Sequence, residues 1–240
     1  MPISSSRCWL GVSAAAGSAA FAPGELVGII GPNGAGKTTF FNALSGVLAP
    51  TSGELFVLGE RLSGAAPHRF AERGIARTFQ TPRVFAALSV AENVAFGLSF
   101  AGRRRPAPAL LRDEASILAL LGLEARAALP AAAITPSQQR LLEIGMALAT
   151  RPRVLLLDEV AAGLVESEIE AMARLVHRLR DELDLTVIWI EHAVTTLLKQ
   201  VERVIVLHEG RKIADGTPAE VVRNPVVVEA YLGDEMAESA

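Results

Sequence analysis

No apolar run in this chain approaches the roughly 18–20 residues that a membrane-spanning helix needs, so no helical span is expected. Cysteine is almost absent. Cys8 stands alone, no internal disulfide can form, and that usage points to a reducing compartment. An excess of positive charge is missing too. The 240 residues carry 23 basic and 26 acidic side chains, a net charge of −3, which argues against a surface built to grip nucleic acid. The one short basic run, Arg103-Arg104-Arg105, is followed by Pro106 and Pro108 and reads as a solvated loop. No internal repeat and no clear linker divides the chain into independent cores. Near the start, "WLGVSAAAGSAAFA" faintly mimics a signal peptide. Gly11 and Gly17 interrupt it and it runs directly into an apolar strand, so we read it as part of the domain.

What is present is a core-forming, alternating pattern. Half the residues are hydrophobic, ample for one large domain. "ELVGII", 25–30, has the nearly all-apolar character of a buried parallel strand. A Gly-rich turn follows, then "KTTFFNALSGVL" with helical spacing. "GELFVLGERL" reads as an antiparallel piece and "GIARTFQ", 74–80, as a further strand. From about 82 to 150 the chain turns helical. Val90, Val94 and Leu98, then Leu111, Ala115, Leu118 and Leu121, then Leu141, Ile144 and Leu148 recur at helical spacing, with Pro106, Pro108, Pro130 and Pro136 as breaks. The strand–helix alternation then resumes. "VLLLDE", 154–159, and "TVIWIEH", 186–192, are apolar strands, and Ile169, Met172, Val176, Leu179 and Leu183 share one helix face. "RVIVLHEGRKIADG" is a hairpin turning at Glu209-Gly210. The fold class expected is α/β, with a mainly parallel core sheet, an antiparallel β portion and a helical insertion within a single domain.

"GPNGAGKT", Gly31 to Thr38, fits the G-x-x-x-x-G-K-[ST] phosphate loop and lies between a buried strand and a helix, the context that the motif requires. Its glycines let backbone N–H groups turn inward around a phosphate. Lys37 supplies a compact positive charge, and the Thr38 hydroxyl can ligate Mg²⁺. Asp158 ends an apolar strand, where it can coordinate Mg²⁺, and Glu159 beside it can polarise an attacking water as a general base. Two solvated acids at a strand end would look the same in isolation. His192 and Gln80 also end strands, and taken alone each suits a structural or merely surface role.

In series these elements resemble the ATP-binding subunit of an ABC transporter from end to end: phosphate loop, Gln80, helical insertion, "TPSQQR", "LLLDE" and His192. The resemblance implies that Gly31, Pro32, Asn33, Gly34, Ala35, Gly36, Lys37, Thr38 and Thr39 cradle ATP. It implies that Thr38, Gln80 and Asp158 attend Mg²⁺, that Glu159 and Lys37 serve catalysis, and that His192 contacts the γ-phosphate. Trp9 stands about where the family stacks an aromatic residue on adenine; core packing and a cation–π contact are its other readings. "RTFQTPRVFAALSVAENVAFG", 77–97, and the tail "GTPAEVVRNPVVVEAYLG", 216–233, are similar to the ATPases of branched-chain and hydrophobic amino-acid uptake.

The family signature reads approximately L-S-G-G-Q, and here it is Ile134-Thr135-Pro136-Ser137-Gln138. Thr135 keeps the hydroxyl and Gln138 is retained. Pro136 removes one N–H but presets φ for a first helical position, and Ser137 brings a Cβ where glycine would allow close approach. Thr135, Ser137 and Gln138 are therefore expected to form a working but altered site for ATP bound by the opposite subunit. Two further departures are Val160 after Glu159, where the family has Pro, and Val165-Glu166, where Asn-Pro or Asp-Pro is usual. The resemblance implies a second ATPase subunit, a copy or a homologue. It also implies separate membrane permease subunits, an indirectly linked extracytoplasmic solute-binding protein, no nucleic-acid partner, and a cytoplasmic place on the inner face of the membrane. Three alternatives stay open: a non-transport ABC ATPase of DNA repair or translation, a nucleotide kinase, and a regulatory subunit with impaired hydrolysis.

Overall fold

The computed structural model describes residues 10–14, 17–101 and 108–237. Cys8, Trp9 and the Arg103-Arg104-Arg105 run lie outside them. The chain forms two compact units, residues 1–70 with 186–240, and residues 71–185.

In the first unit, β1 (Leu10–Ala14) and β2 (Gly17–Phe21) make a hairpin, and β1 also pairs with β4 (Glu54–Val57), which pairs with β5 (Glu60–Arg61). All these pairings are antiparallel. β3 (Leu26–Ile30) is buried along its whole length and runs parallel to β8 (Thr186–Ile190) and β9 (Arg203–His208). Full burial explains its unbroken apolar spelling, since both faces are covered. β9 turns into β10 (Arg211–Gly216) through Glu209 and Gly210, at φ 46° and 73°. Two consecutive positive φ values match the twist of the flanking strands, as a type I′ turn does. This unit also holds α1 (Lys37–Leu44), α7 (Val194–Leu198), α8 (Pro218–Val221) and α9 (Pro225–Ala237). α2 (Pro67–Glu72) leads the chain out of it.

In the second unit, β6 (Ile75–Arg77) pairs in parallel with β7 (Val154–Asp158). β6 is shorter than expected because the backbone leaves the ladder after Thr78, whose N–H still donates to the Leu156 carbonyl. α3 (Val90–Ser99), α4 (Glu114–Leu121) and α5 (Pro136–Ala149) form the helical region, and α6 (Glu166–Leu183) follows β7. Each start is chemically marked. Ser89 with Glu92 and Thr135 with Gln138 make reciprocal capping boxes, and Asp113 caps α4. α6 buries Met172, Val176 and Leu179 from its expected face.

α3 and α5 pack closely through glycine. A Cβ on Gly97 would stand 2.6 Å from the Met146 carbonyl oxygen and 2.8 Å from the Ala149 Cβ. Gly97→Ala must separate two helix backbones, so it should destabilise the protein by about 1–3 kcal/mol through overpacking. A thermal melt indistinguishable from wild type would contradict that packing.

Candidate functional site

The phosphate loop in the first unit is shaped by backbone freedom. Gly34 and Gly36 sit at φ 77° and 96°, values that side chains with a Cβ rarely tolerate. A Cβ on Gly31 would collide with the Leu207 carbonyl oxygen. Gly36 opens α1 with no side-chain cap, so the first N–H groups of the helix face the loop as an anion site. Lys37 is 6% exposed, and its ammonium donates to the Gly31 and Pro32 carbonyls at 2.5 and 2.9 Å. The β9–β10 turn braces the loop, with Gly210 N–H donating to the Ala35 carbonyl at 3.0 Å. Beside it opens a cavity of ≈ 400 Å³, lined by Ser18, Ala19, Gly36, Thr39, Phe40 and Leu207 among others. Trp9, expected against the base, lies outside the described residues.

His192, in the same unit, follows β8 and is exposed. Just before it, Glu191 is buried and accepts a hydrogen bond from the Trp189 indole at 2.8 Å. The tail helix α9 turns Tyr231 toward the loop. Burial raises the phenol pKa to about 12, opposed by the Gly31 backbone, although the hydroxyl closes no hydrogen bond of ordinary geometry.

The second unit gathers the carboxylates. Asp158 ends β7 and is 3% exposed. Its Oδ2 accepts from an Arg77 guanidinium nitrogen at 2.7 Å in a pair that is buried on both sides. Removing one partner of such a pair costs about 3–5 kcal/mol, because the other charge is left buried alone. Glu159 is next, 6% exposed, with φ 51°. A left-handed backbone at a residue with a side chain costs about 1–3 kcal/mol and persists only where surroundings enforce it. Gln80 donates its amide N–H to Glu159 Oε2 at 2.7 Å. Gln80 and Glu159, 79 residues apart in sequence, are thus direct partners.

α5 holds this group from one side. Its cap is built from the signature residues Thr135 and Gln138. The Thr135 hydroxyl accepts from Gln138 N–H at 3.3 Å, the Gln138 side chain accepts from Thr135 N–H at 3.1 Å, and the Thr135 and Ser137 hydroxyls are hydrogen-bonded to each other at 3.0 Å. Pro136 occupies the first helical position, where a missing N–H leaves no unmade helical bond. Further along, Glu143 accepts from the backbone N–H groups of Phe79 and Arg83 at 3.3 and 2.9 Å. Arg83 lies over the Phe79 ring at 4.0 Å.

Arg77, Arg140, Glu143 and Tyr231 were not singled out in the sequence. Glu143 offered one signal, a charged residue between the apolar Leu142 and Ile144. Burial pushes its carboxyl up to about 7, against the pull of the Arg83 and Phe79 amides and of the Arg140 and Arg83 charges. Between the ordinary value of 4.5 and about 7 the folded chain keeps a proton that the unfolded chain has released. The group's contribution to stability therefore falls as pH rises through that window, by at most about 1.4 kcal/mol per pH unit. Wild type should lose stability relative to Glu143→Gln by up to about 3 kcal/mol between pH 5 and pH 8. Melting curves of both proteins across that range check this, and a pH-independent difference would refute it.

Among the described residues, no helix is long and apolar enough to cross a membrane. No group of three or more His, Cys, Asp or Glu side chains there is arranged to hold a metal ion.

A phosphate loop on one unit, and a strand-end Asp–Glu pair with its glutamine on the other, define an ATP-binding cassette. The chain belongs to the ABC transporter family of ATPases, whose pattern matches residues 16–162. The pattern described as branched-chain amino acid ATP-binding cassette transporter matches residues 211–237. The chain is 38% identical over 223 residues to the high-affinity branched-chain amino acid transport ATP-binding protein BraF of Pseudomonas aeruginosa, covering 88% of each chain. It is 37% identical over 225 residues to the corresponding protein LivG of Escherichia coli, again covering 88% of each. Among solved structures it is similar to an ATP-binding cassette of an ABC transporter in its ADP conformation. That likeness has a TM-score of 0.79 and 28% identity, over 94% of this chain and 99% of the other. Family membership removes the nucleotide-kinase alternative. The protein is an ATP-binding and ATP-hydrolysing enzyme of the ABC type.

Proposed function

We propose that this chain is the ATPase subunit of an importer for branched-chain or related amino acids. It works on the cytoplasmic face of the membrane with a second ATPase subunit and separate permease subunits, and a solute-binding protein delivers the cargo. The observation that carries the cargo class is the tail at 211–237, which matches the branched-chain amino acid cassettes and not merely the general ATPase.

In this reading the backbone of Gly31 to Gly36, together with Lys37, Thr38 and Thr39, binds the phosphates, and the cavity beside the loop has room for the base. Thr38, Gln80 and Asp158 would hold Mg²⁺. One carboxylate, a hydroxyl and an amide oxygen are the hard oxygen donors that such an ion would take. When bound, the ion would neutralise charge developing on the phosphates. Arg77 holds one Asp158 oxygen, and the Gln80 amide N–H on Glu159 leaves its oxygen as the ligand atom. Glu159 takes the proton of the attacking water, and His192 contacts the γ-phosphate. Thr135, Ser137 and Gln138 serve ATP on the opposite subunit through the start of α5. Its dipole and the Ser137 N–H survive the altered spelling, although Pro136 has no N–H and the cap already engages the Gln138 N–H and both hydroxyls.

The test is reconstitution of the chain with its permease subunits and partner ATPase in proteoliposomes. ATP-dependent accumulation of leucine, isoleucine or valine is expected; ATP hydrolysis with no accumulation of any of them overturns the cargo assignment. In the same system Ser137→Arg should abolish ATP-dependent dimer closure while leaving ATP binding to the isolated chain within about twofold of wild type, since an added charged side chain blocks the trans surface and not the phosphate loop. Full activity in Ser137→Arg would show that this end of α5 does not face nucleotide.

A further inference from the structure

α5 touches both catalytic segments with charged side chains that the reading above does not use. Arg140 donates through Nη1 to the Glu159 carbonyl at 2.8 Å and through Nη2 to the Ala162 carbonyl at 2.9 Å, and Nη1 also lies 3.5 Å from the Gln80 carbonyl. The Ala162 N–H closes back on the Glu159 carbonyl at 3.2 Å. One planar guanidinium therefore spans both ends of the turn that leaves β7. That turn begins at Glu159, whose left-handed φ of 51° needs an external constraint to persist. One helical turn along, on the same face of α5, Glu143 takes the N–H groups of Phe79 and Arg83 and so fixes the chain on both sides of Gln80. The two side chains that meet at 2.7 Å, Gln80 and Glu159, thus have their backbones tied to one rigid helix.

We propose that Arg140 is a positioning residue for hydrolysis: its fork, bridging the Glu159 and Ala162 carbonyls, holds the Glu159 carboxylate where it can act on water. The proposal rests on Glu159 being the base. An ammonium cannot reproduce a fork with two diverging donors, so charge alone does not suffice. Because Thr135, Ser137 and Gln138 begin the same helix, Arg140 also links the segment assigned to the opposite subunit's ATP with the carboxylate that acts on this subunit's own.

The experiment measures phosphate release and ATP-induced thermal stabilisation for the assembled transporter carrying Arg140→Gln, Glu159→Gln or both. Arg140→Gln is expected to lower kcat by about 10–100-fold, with KM and the ATP-induced shift within about twofold of wild type, the signature of an interaction that matters in the transition state. A residue acting through Glu159 should add almost nothing once Glu159 is gone, so the double variant should be within about twofold of Glu159→Gln alone. Losses that multiply would mean that Arg140 acts elsewhere, and a normal kcat in Arg140→Gln beside a slow Glu159→Gln would overturn the proposal alone. A fast Glu159→Gln would overturn both the base assignment and the proposal. If Arg140→Gln does not fold, Arg140→Lys takes its place with the same expected fall in kcat, and wild-type turnover in it refutes the need for a fork.

Discussion

Glu159→Gln is expected to bind ATP as wild type does and to hydrolyse it about 10²–10⁴-fold more slowly, the range typical of a lost general base. The substitution changes little else. Gln is isosteric with Glu, and its amide oxygen can still accept the Gln80 N–H that Glu159 Oε2 receives at 2.7 Å. The Glu159 carbonyl remains held by Arg140. What disappears is the ability to take a proton from water in a site that is 6% exposed, where solvent cannot easily substitute. Initial rates of phosphate release, set beside the ATP-induced rise in melting temperature, separate chemistry from binding. Hydrolysis within tenfold of wild type would remove Glu159 from the role of base.

The second large effect belongs to Lys37. Lys37→Ala should eliminate tight ATP binding, because a buried ammonium is the fixed cation of the loop and a charge-assisted contact to phosphate is among the stronger hydrogen bonds. At ATP one hundred times its Kd, wild type should gain about 2.7 kcal/mol by mass action, or about 5–10 °C in melting temperature for a chain of this size. Lys37→Ala should show almost none of that gain. Part of any change without nucleotide would come from the Gly31 and Pro32 carbonyls, which lose the donor now resting on them, so the comparison that matters is the ATP-induced increment within each protein. Equal increments would sink the assignment.

The elements that carry these effects were legible for a local reason. A phosphate loop is a contiguous spelling, and so are a five-residue apolar strand ending in Asp158 and a hairpin turn at Glu209-Gly210. The β1–β2 hairpin was not read as strands, since Ala, Gly and Ser have little β preference; it is set by pairing with β4 and by burying Leu10, Ala19 and Phe21. The supports of the site were hidden by sequence distance. Arg77 and Asp158 are 81 residues apart, and Glu143 and Arg83 are 60 apart. On α5 the Leu and Ile positions announced a helix, while Arg140 and Glu143 looked like its solvated face. Periodicity identifies which residues fill a core and says nothing of which charged residue reaches across to a carbonyl in another segment.

The left-handed backbone at Glu159 sets two kinds of selection against each other. A glycine there would relieve the conformational cost and raise resistance to heat, yet it would delete the carboxylate. Laboratory evolution that rewards only survival at high temperature would therefore drift toward a sturdier protein with a silent engine at this position. A screen that also demands turnover would keep the strained residue and find its gains elsewhere.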